Sequence, residues 1–153
     1  MRSIRLWKTY CEDEGVRSIC SFLERNASVM CLGLLDDKVT PLGCEFIGRT
    51  LTPGPACPPI QILKLDHNDF GSTGLINLCK GIKENVNLTT LSLTYCDLDH
   101  TGARSLMELL IFSKSKLEEL ILTGNNLRNE GTKMVLNGVS IAKELKKIYL
   151  GDN

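Results

Sequence analysis

An excess of charge of either sign is missing from this chain. Eighteen Lys and Arg stand against eighteen Asp and Glu, so no bulk field draws it to nucleic acid or to an anionic membrane. Long apolar runs are missing too, none approaching the roughly 20 residues of a membrane-spanning helix. Residues 1–25 carry charge throughout, so no leader peptide is expected. Histidine is scarce: His67 and His100 are the only two, neither has ligand spacing, and no C-x-x-C occurs. No metal and no other cofactor is therefore expected. A glycine-rich phosphate loop, a nucleophile elbow and a zinc-binding helix motif are all absent. Two acidic groups could suggest chemistry. Glu12, Asp13 and Glu14 read more simply as a helix start favoured by its dipole. Asp66, His67 and Asp69 read as a solvated strand-to-turn edge, because alternation points Asp66 and His67 in different directions. No catalytic residue is assigned.

What is present is a repeat. The stretch from Leu117 to Gly131 reads L-x-x-L-x-L-x-x-N-x-L-x-x-x-G, and versions of it recur along the whole chain. Taking the third apolar residue of each copy as an anchor gives Leu6, Leu34, Leu65, Leu93, Leu122 and Leu150, spaced by 28, 31, 28, 29 and 28 residues. Nine residues past the first five anchors stand Gly15, Gly43, Gly74, Gly102 and Gly131. Three past the anchors stand Thr9, Asp37, Asn68, Cys96, Asn125 and Asn153. After each glycine, apolar or small residues recur at offsets of 1, 4, 5 and 8, one face of a helix: Leu75, Leu78, Cys79 and Ile82 form one such set. Five of the seven cysteines (Cys11, Cys20, Cys44, Cys79 and Cys96) fall on these columns as small buried fillers. That placement favours free thiols and a reducing, cytoplasmic setting over disulfides. Asn26-Ala27-Ser28 and Asn87-Leu88-Thr89 match the glycosylation acceptor pattern and are read as inert.

These columns resemble the ribonuclease-inhibitor type of leucine-rich repeat over essentially residues 4–153. Departures are Thr9 and Asp37 at the Asn position, Cys11 at an aliphatic position and a longer second unit, which predict less regular first and second turns. The resemblance implies an α/β fold: a right-handed solenoid curved as a horseshoe arc, with parallel strands on the concave face and helices on the convex face. The pattern predicts helices over 13–25, 41–50, 73–84, 101–112 and 130–142. It predicts strands from residue 4 and over 30–34, 62–65, 90–93, 119–122 and 147–150. Leu51 to Pro59 holds four prolines and Gly54, which forbid helix and predict a stiff surface loop. Lys143, Lys146 and Lys147 follow the last helix, where cations suit its C-terminal dipole.

The expectation for organisation is one domain over residues 1–153, of about five and a half repeats. Neither end shows a polar capping unit, so a segment of a longer array is expected, and end-to-end self-association through the solenoid ends stays open. For function, the residues beside the anchors should point out of the concave face. One row is Arg5, Gly33, Lys64, Ser92, Ile121 and Tyr149; a second is Trp7, Leu35, Asp66, Thr94, Thr123 and Gly151. A third, nearer the turns, is Lys8, Asp36, His67, Tyr95, Gly124 and Asp152. Arg5, Trp7, Lys64, Asp66, His67, Tyr95 and Tyr149 are the candidate contacts, of a kind enriched in protein-binding hot spots. A non-catalytic scaffold binding another protein is the first expectation, with neither nucleic acid nor membrane as partner. The resemblance also implies regulatory alternatives, a GTPase activator or an enzyme inhibitor. For the first, Asn125, Asn126 and Arg128 are present but Asn125 is claimed by the fold; for the second, the concave face is mixed rather than acidic. A structural segment of a ciliary or cytoskeletal assembly is the third.

Overall fold

The structure, a computed structural model, describes residues 2–153. In chain order it runs β1 (Arg2–Trp7), α1 (Glu12–Leu23), β2 (Val29–Leu35), α2 (Pro41–Thr50), β3 (Ile62–Lys64) and α3 (Gly71–Ile82). Then come β4 (Thr90–Ser92), a 3-10 turn (His100–Gly102), α4 (Ala103–Ile111), β5 (Glu119–Ile121), α5 (Arg128–Val139) and β6 (Lys147–Tyr149). All strands are parallel in one sheet of order β1-β2-β3-β4-β5-β6, each returning through the connection that is right-handed in nearly all such units. Strands lie about 4.8 Å apart and packed helices 8–10 Å apart, so a stack of such units curves with the sheet inside. The fold is an α/β leucine-rich-repeat solenoid arc.

The anchors Leu34, Leu65, Leu93 and Leu122 and their neighbours Leu32, Leu63, Leu91 and Leu120 are fully buried. Ile47, Leu78, Leu106 and Val135 meet them from the helical side, so each layer is a few aliphatic side chains thick. Leu136, expected on the inner face of α5, is exposed, because the helix turns Val135 and Gly138 inward instead. Cys11, expected as a buried filler, is only half-buried. Gly33 and Ser92, expected to point out of the strand face, are covered. Ser92 is 2% exposed, donating to Asp66, and Gly33 lies under Leu35 and Arg5.

The helices α1, α3 and α5 begin one or two residues earlier than the spacing predicts and stop two or three earlier. Each opens on a residue with left-handed backbone, Glu12, Gly71 and Arg128, which re-aims the chain before the first turn. Most strands are short because the ladder continues beyond them in another form. Lys8, Asp36, His67, Tyr95 and Gly124 donate their N–H groups to the carbonyls of Leu35, Asp66, Thr94, Thr123 and Gly151 in the next repeat. All five, and Asp152, have φ between 50° and 74°.

Behind that bend lies the buried amide ladder. Asn68 donates through Nδ2 to the carbonyls of Leu34 (2.7 Å) and Leu65 (2.8 Å) and accepts through Oδ1 from Asp37 and Val39 N–H. Asn125 repeats the pattern with Leu93, Leu122, Cys96 and Leu98. Cys96 keeps half of it: its thiol donates to the Leu65 carbonyl at 3.2 Å. Irregularity was expected in the first two turns, yet β1 and β2 pair over six positions and are the longest strands. The departure shows in a register shift between Arg2 and Ser3, in left-handed backbone at Tyr10 and Lys38, and in hydrogen bonding. Asp37 Oδ1 accepts from Thr9 and Tyr10, while Oδ2 is buried without a partner.

Two experiments follow from this packing. Asp37→Asn restores an N–H donor where Asn68, Asn125 and Asn153 have one, and should raise stability by about 1–2 kcal/mol in urea unfolding. Gly81→Ala should do the opposite although alanine favours helix, because its Cβ would strike the carbonyl of Gly48 on α2. A loss of about 3 kcal/mol is expected, against no more than about 0.5 for Gly54→Ala in the open proline loop.

Candidate functional site

Three sets of side chains face outward along the strands and their turn edge. On the strand face, Arg5 and Tyr149 are exposed and Lys64 half-exposed. Trp7 at the end of β1 is 70% exposed, the most open large apolar side chain described. Its neighbour Lys8 lies 5.7 Å from the ring centre and pairs with Asp36 at 3.7 Å. Asp66 is half-buried and already engaged: its Oδ1 accepts from Ser92 Oγ at 2.6 Å and Thr94 N–H at 2.8 Å.

His67 and Tyr95 belong together on the turn edge. Their rings stack with centroids 5.2 Å apart and planes 17° apart, both projecting from left-handed backbone in consecutive repeats. The Tyr95 ring then lies across Gly124, where any Cβ would strike it, and its hydroxyl reaches Asp152 at 3.5 Å. The structure thus joins His67 to Tyr95, while Asp66 is turned to Ser92 and Thr94. Asp69, read from the sequence as solvated edge, and Asp97, not singled out there, stand beside Tyr95. The signal for them was a column: four residues past the anchors come Tyr10, Lys38, Asp69, Asp97 and Asn126.

The carboxylates of this edge divide by what they touch. Asp13 accepts from Thr40, tying α1 to the start of α2. Asp99 accepts from Thr101 N–H, Thr101 Oγ1 and Ser72 Oγ. The Thr101 and Ser72 hydroxyls hold its carboxyl well below the usual range, at about 2. Among the described residues no cluster of His, Cys, Asp or Glu could hold a metal, and no helix is long and apolar enough to cross a membrane. Cys20, Cys31, Cys44, Cys79 and Cys96 are buried fillers. Burial pushes Cys79 and Cys96 up to about 12 and raises Cys44 as well.

With this geometry in view, known proteins place the chain. A family model described as Leucine Rich repeat matches residues 56–79, 84–107 and 113–136. Mouse ribonuclease inhibitor is 27% identical over 141 residues, 91% of this chain and 30% of the relative. This chain belongs to the leucine-rich-repeat proteins of ribonuclease-inhibitor-like type. Among other members, human NACHT, LRR and PYD domains-containing protein 13 is 33% identical over 145 residues, 94% of the chain and 13% of the relative. The chain therefore spans less than a third of these relatives' length. The solved structure of Leiomodin-1 Actin-Binding Site 2 (ABS2) superposes with a TM-score of 0.58 at 14% identity, covering 97% of this chain and 69% of that one. At that identity the likeness concerns the fold alone.

The Asp99 bonds give a pH test. A carboxyl held lower in the folded than in the unfolded chain stabilises above the unfolded value, near 3.9, and that contribution is lost as pH falls towards 2. Between pH 5 and 2 the wild type should lose more unfolding free energy than Asp99→Asn, measured by urea titration at each pH. Parallel curves would remove Asp99 from the acid response.

Proposed function

We propose that this chain is a non-catalytic protein-interaction module, working in the cytoplasm, that holds a partner protein on its strand face and adjoining turn edge. We further read it as one repeat domain within a longer array, in keeping with the 13% and 30% shares of its relatives that it matches. A repeat solenoid of this type is an interaction module at the level of class. The single observation that favours this face is its set of exposed aromatic rings on hydrogen-bonded backbone. Trp7, Tyr95 and Tyr149 are 70%, 46% and 44% exposed, each on or just beyond a strand of one sheet. Rigid aromatic side chains lose little entropy on binding and are enriched among residues that dominate interface energies. Arg5 and Lys64 lie in the same row as Tyr149 and supply charge beside the rings, while the seven thiols are free, as a reducing compartment keeps them.

The test is affinity capture from the native cell with tagged wild type and a Trp7→Ala, Lys64→Ala, Tyr149→Ala triple variant. These side chains are exposed or half-exposed, so circular dichroism should show an unchanged fold. A protein retained by the wild type should fall about tenfold or more with the variant. Equal recovery would move the contact away from the strand face. Turnover of any substrate at an enzyme-like rate would overturn the non-catalytic reading.

A further inference from the structure

The charged side chains of the strand face are mostly answered within the chain. Glu119 of β5 pairs with Lys147 of β6 at 3.8 Å. Asp66 turns towards the next repeat, where its Oδ1 accepts from Ser92 Oγ and Thr94 N–H. Arg5 and Lys64 are left, and neither belongs to an ion pair among the described residues. The two share one row: Arg5 of β1 lies opposite Gly33 of β2, and Gly33 lies opposite Lys64 of β3. Two strand spacings set their backbones about 9.6 Å apart, and the inward curve of the sheet draws the side-chain tips closer. Gly33 draws them closer still. It has no side chain, and the stem of Arg5 leans into its place. Arg5 Cγ lies 3.6 Å from where a Cβ would stand, nearer than Arg5 Cα at 4.0 Å. The guanidinium is therefore carried over β2 towards Lys64, and two positive charges converge there with no counter-charge of this chain paired to them.

Beside this pair the face is apolar. A methyl of Leu35 lies 3.2 Å from the same point above Gly33, and Trp7, opposite Leu35 in the ladder, is 70% exposed. All these side chains leave from hydrogen-bonded strands, so their relative positions are fixed. What fits is an anion that carries an apolar neighbour. The guanidinium offers a carboxylate a fork of donors, and the ammonium adds a point charge. A free phosphate would satisfy the cations and leave Leu35 and Trp7 in water. Resting on the reading of the strand face as a protein-binding surface, we propose that this end of it receives an acidic segment of the partner. An aspartate or glutamate carboxylate sits between Arg5 and Lys64, and an adjoining apolar side chain packs on Leu35 and Trp7. Exposed ion pairs add little to affinity, so the two cations chiefly select: they steer acidic segments in and repel basic ones.

The experiment titrates two blocked peptides, Gly-Glu-Leu-Gly and Gly-Gln-Leu-Gly, into the ¹⁵N-labelled chain and follows amide shifts. The glutamate peptide should move the signals of Arg5, Trp7, Gly33, Leu35 and Lys64 first. It should bind about threefold or more tightly than the glutamine peptide, and weaken as salt is added. Arg5→Gln with Lys64→Gln should remove that preference. Glutamine keeps the stem that covers Gly33, and both positions are exposed or half-exposed, so the double variant keeps its fold. Shifts spread evenly over the other exposed lysines and arginines, equal affinity for the two peptides, or a preference retained in the double variant would each overturn the proposal. So would inorganic phosphate binding the same row as tightly as the glutamate peptide, which would give the seat to a free anion. Movement of the same signals on concentrating the chain alone would give it to a second copy and overturn the proposal too. The double variant leaves Trp7 and Tyr149 intact. Partner capture that needs those two but ignores Arg5 and Lys64 would overturn the acid seat and leave the interaction module standing. Peptide binding at this row without partner capture by the wild type would uphold the seat and remove the module reading.

Discussion

Each strand of this solenoid turns towards the helical side within three residues of its anchor, and that bend leaves main-chain groups stranded inside the protein. A single carboxamide at the bend answers four of them, two carbonyls and two N–H groups, as Asn68 and Asn125 show. Leaving such groups unpaired costs about 1–3 kcal/mol each, so the ladder is the condition on which the stack exists. Its variants confirm the logic. Where Cys96 stands in the column, the thiol still donates to the Leu65 carbonyl, while Phe70 N–H turns to the Asn68 carbonyl. Where Asp37 stands, acceptance is complete and donation is lost, leaving one buried oxygen without a partner.

The ladder also makes the outer surface. Because its carboxamides hold the bend, the residue two past each anchor is forced into left-handed backbone and still bonds the next repeat. Its side chain leaves along the edge rather than up from the strand, which is how His67 and Tyr95 come to stack across two repeats. The helices behind are set by contact as well. Gly48 and Gly81 bring α2 and α3 close at the unit lengthened by the proline loop, whose base Asn85 secures by donating to the Leu51 carbonyl. A surface so supported changes little on binding, and rigid display of aromatic rings is what repeat solenoids offer a partner.

Much of this was legible as periodicity. The anchors, the glycine column and the helical offsets identify a leucine-rich repeat, and five strand-helix units are where the spacing predicts them. The site was legible in part. Trp7 and Tyr149 stand exposed in the rows assigned to them, but Ser92 in the same rows is buried under its own bond to Asp66. Asp69 was read as solvated edge and Asp97 was overlooked, because a charged turn residue reads as solvated surface unless its neighbours across the stack are known.

The amino-acid order by itself determined the layer that each residue joins, because burial of leucines at fixed spacing and the demand for a carboxamide at each bend are local requirements repeated in every unit. Tertiary structure alone decided what lies side by side. The two aspartates beside Tyr95 are 28 residues apart in the chain, and only stacking one repeat on the next brings their charges together. That separation is the physical reason the grouping could not be read in advance: its chemistry lies across the repeats, while the pattern in the sequence runs along them.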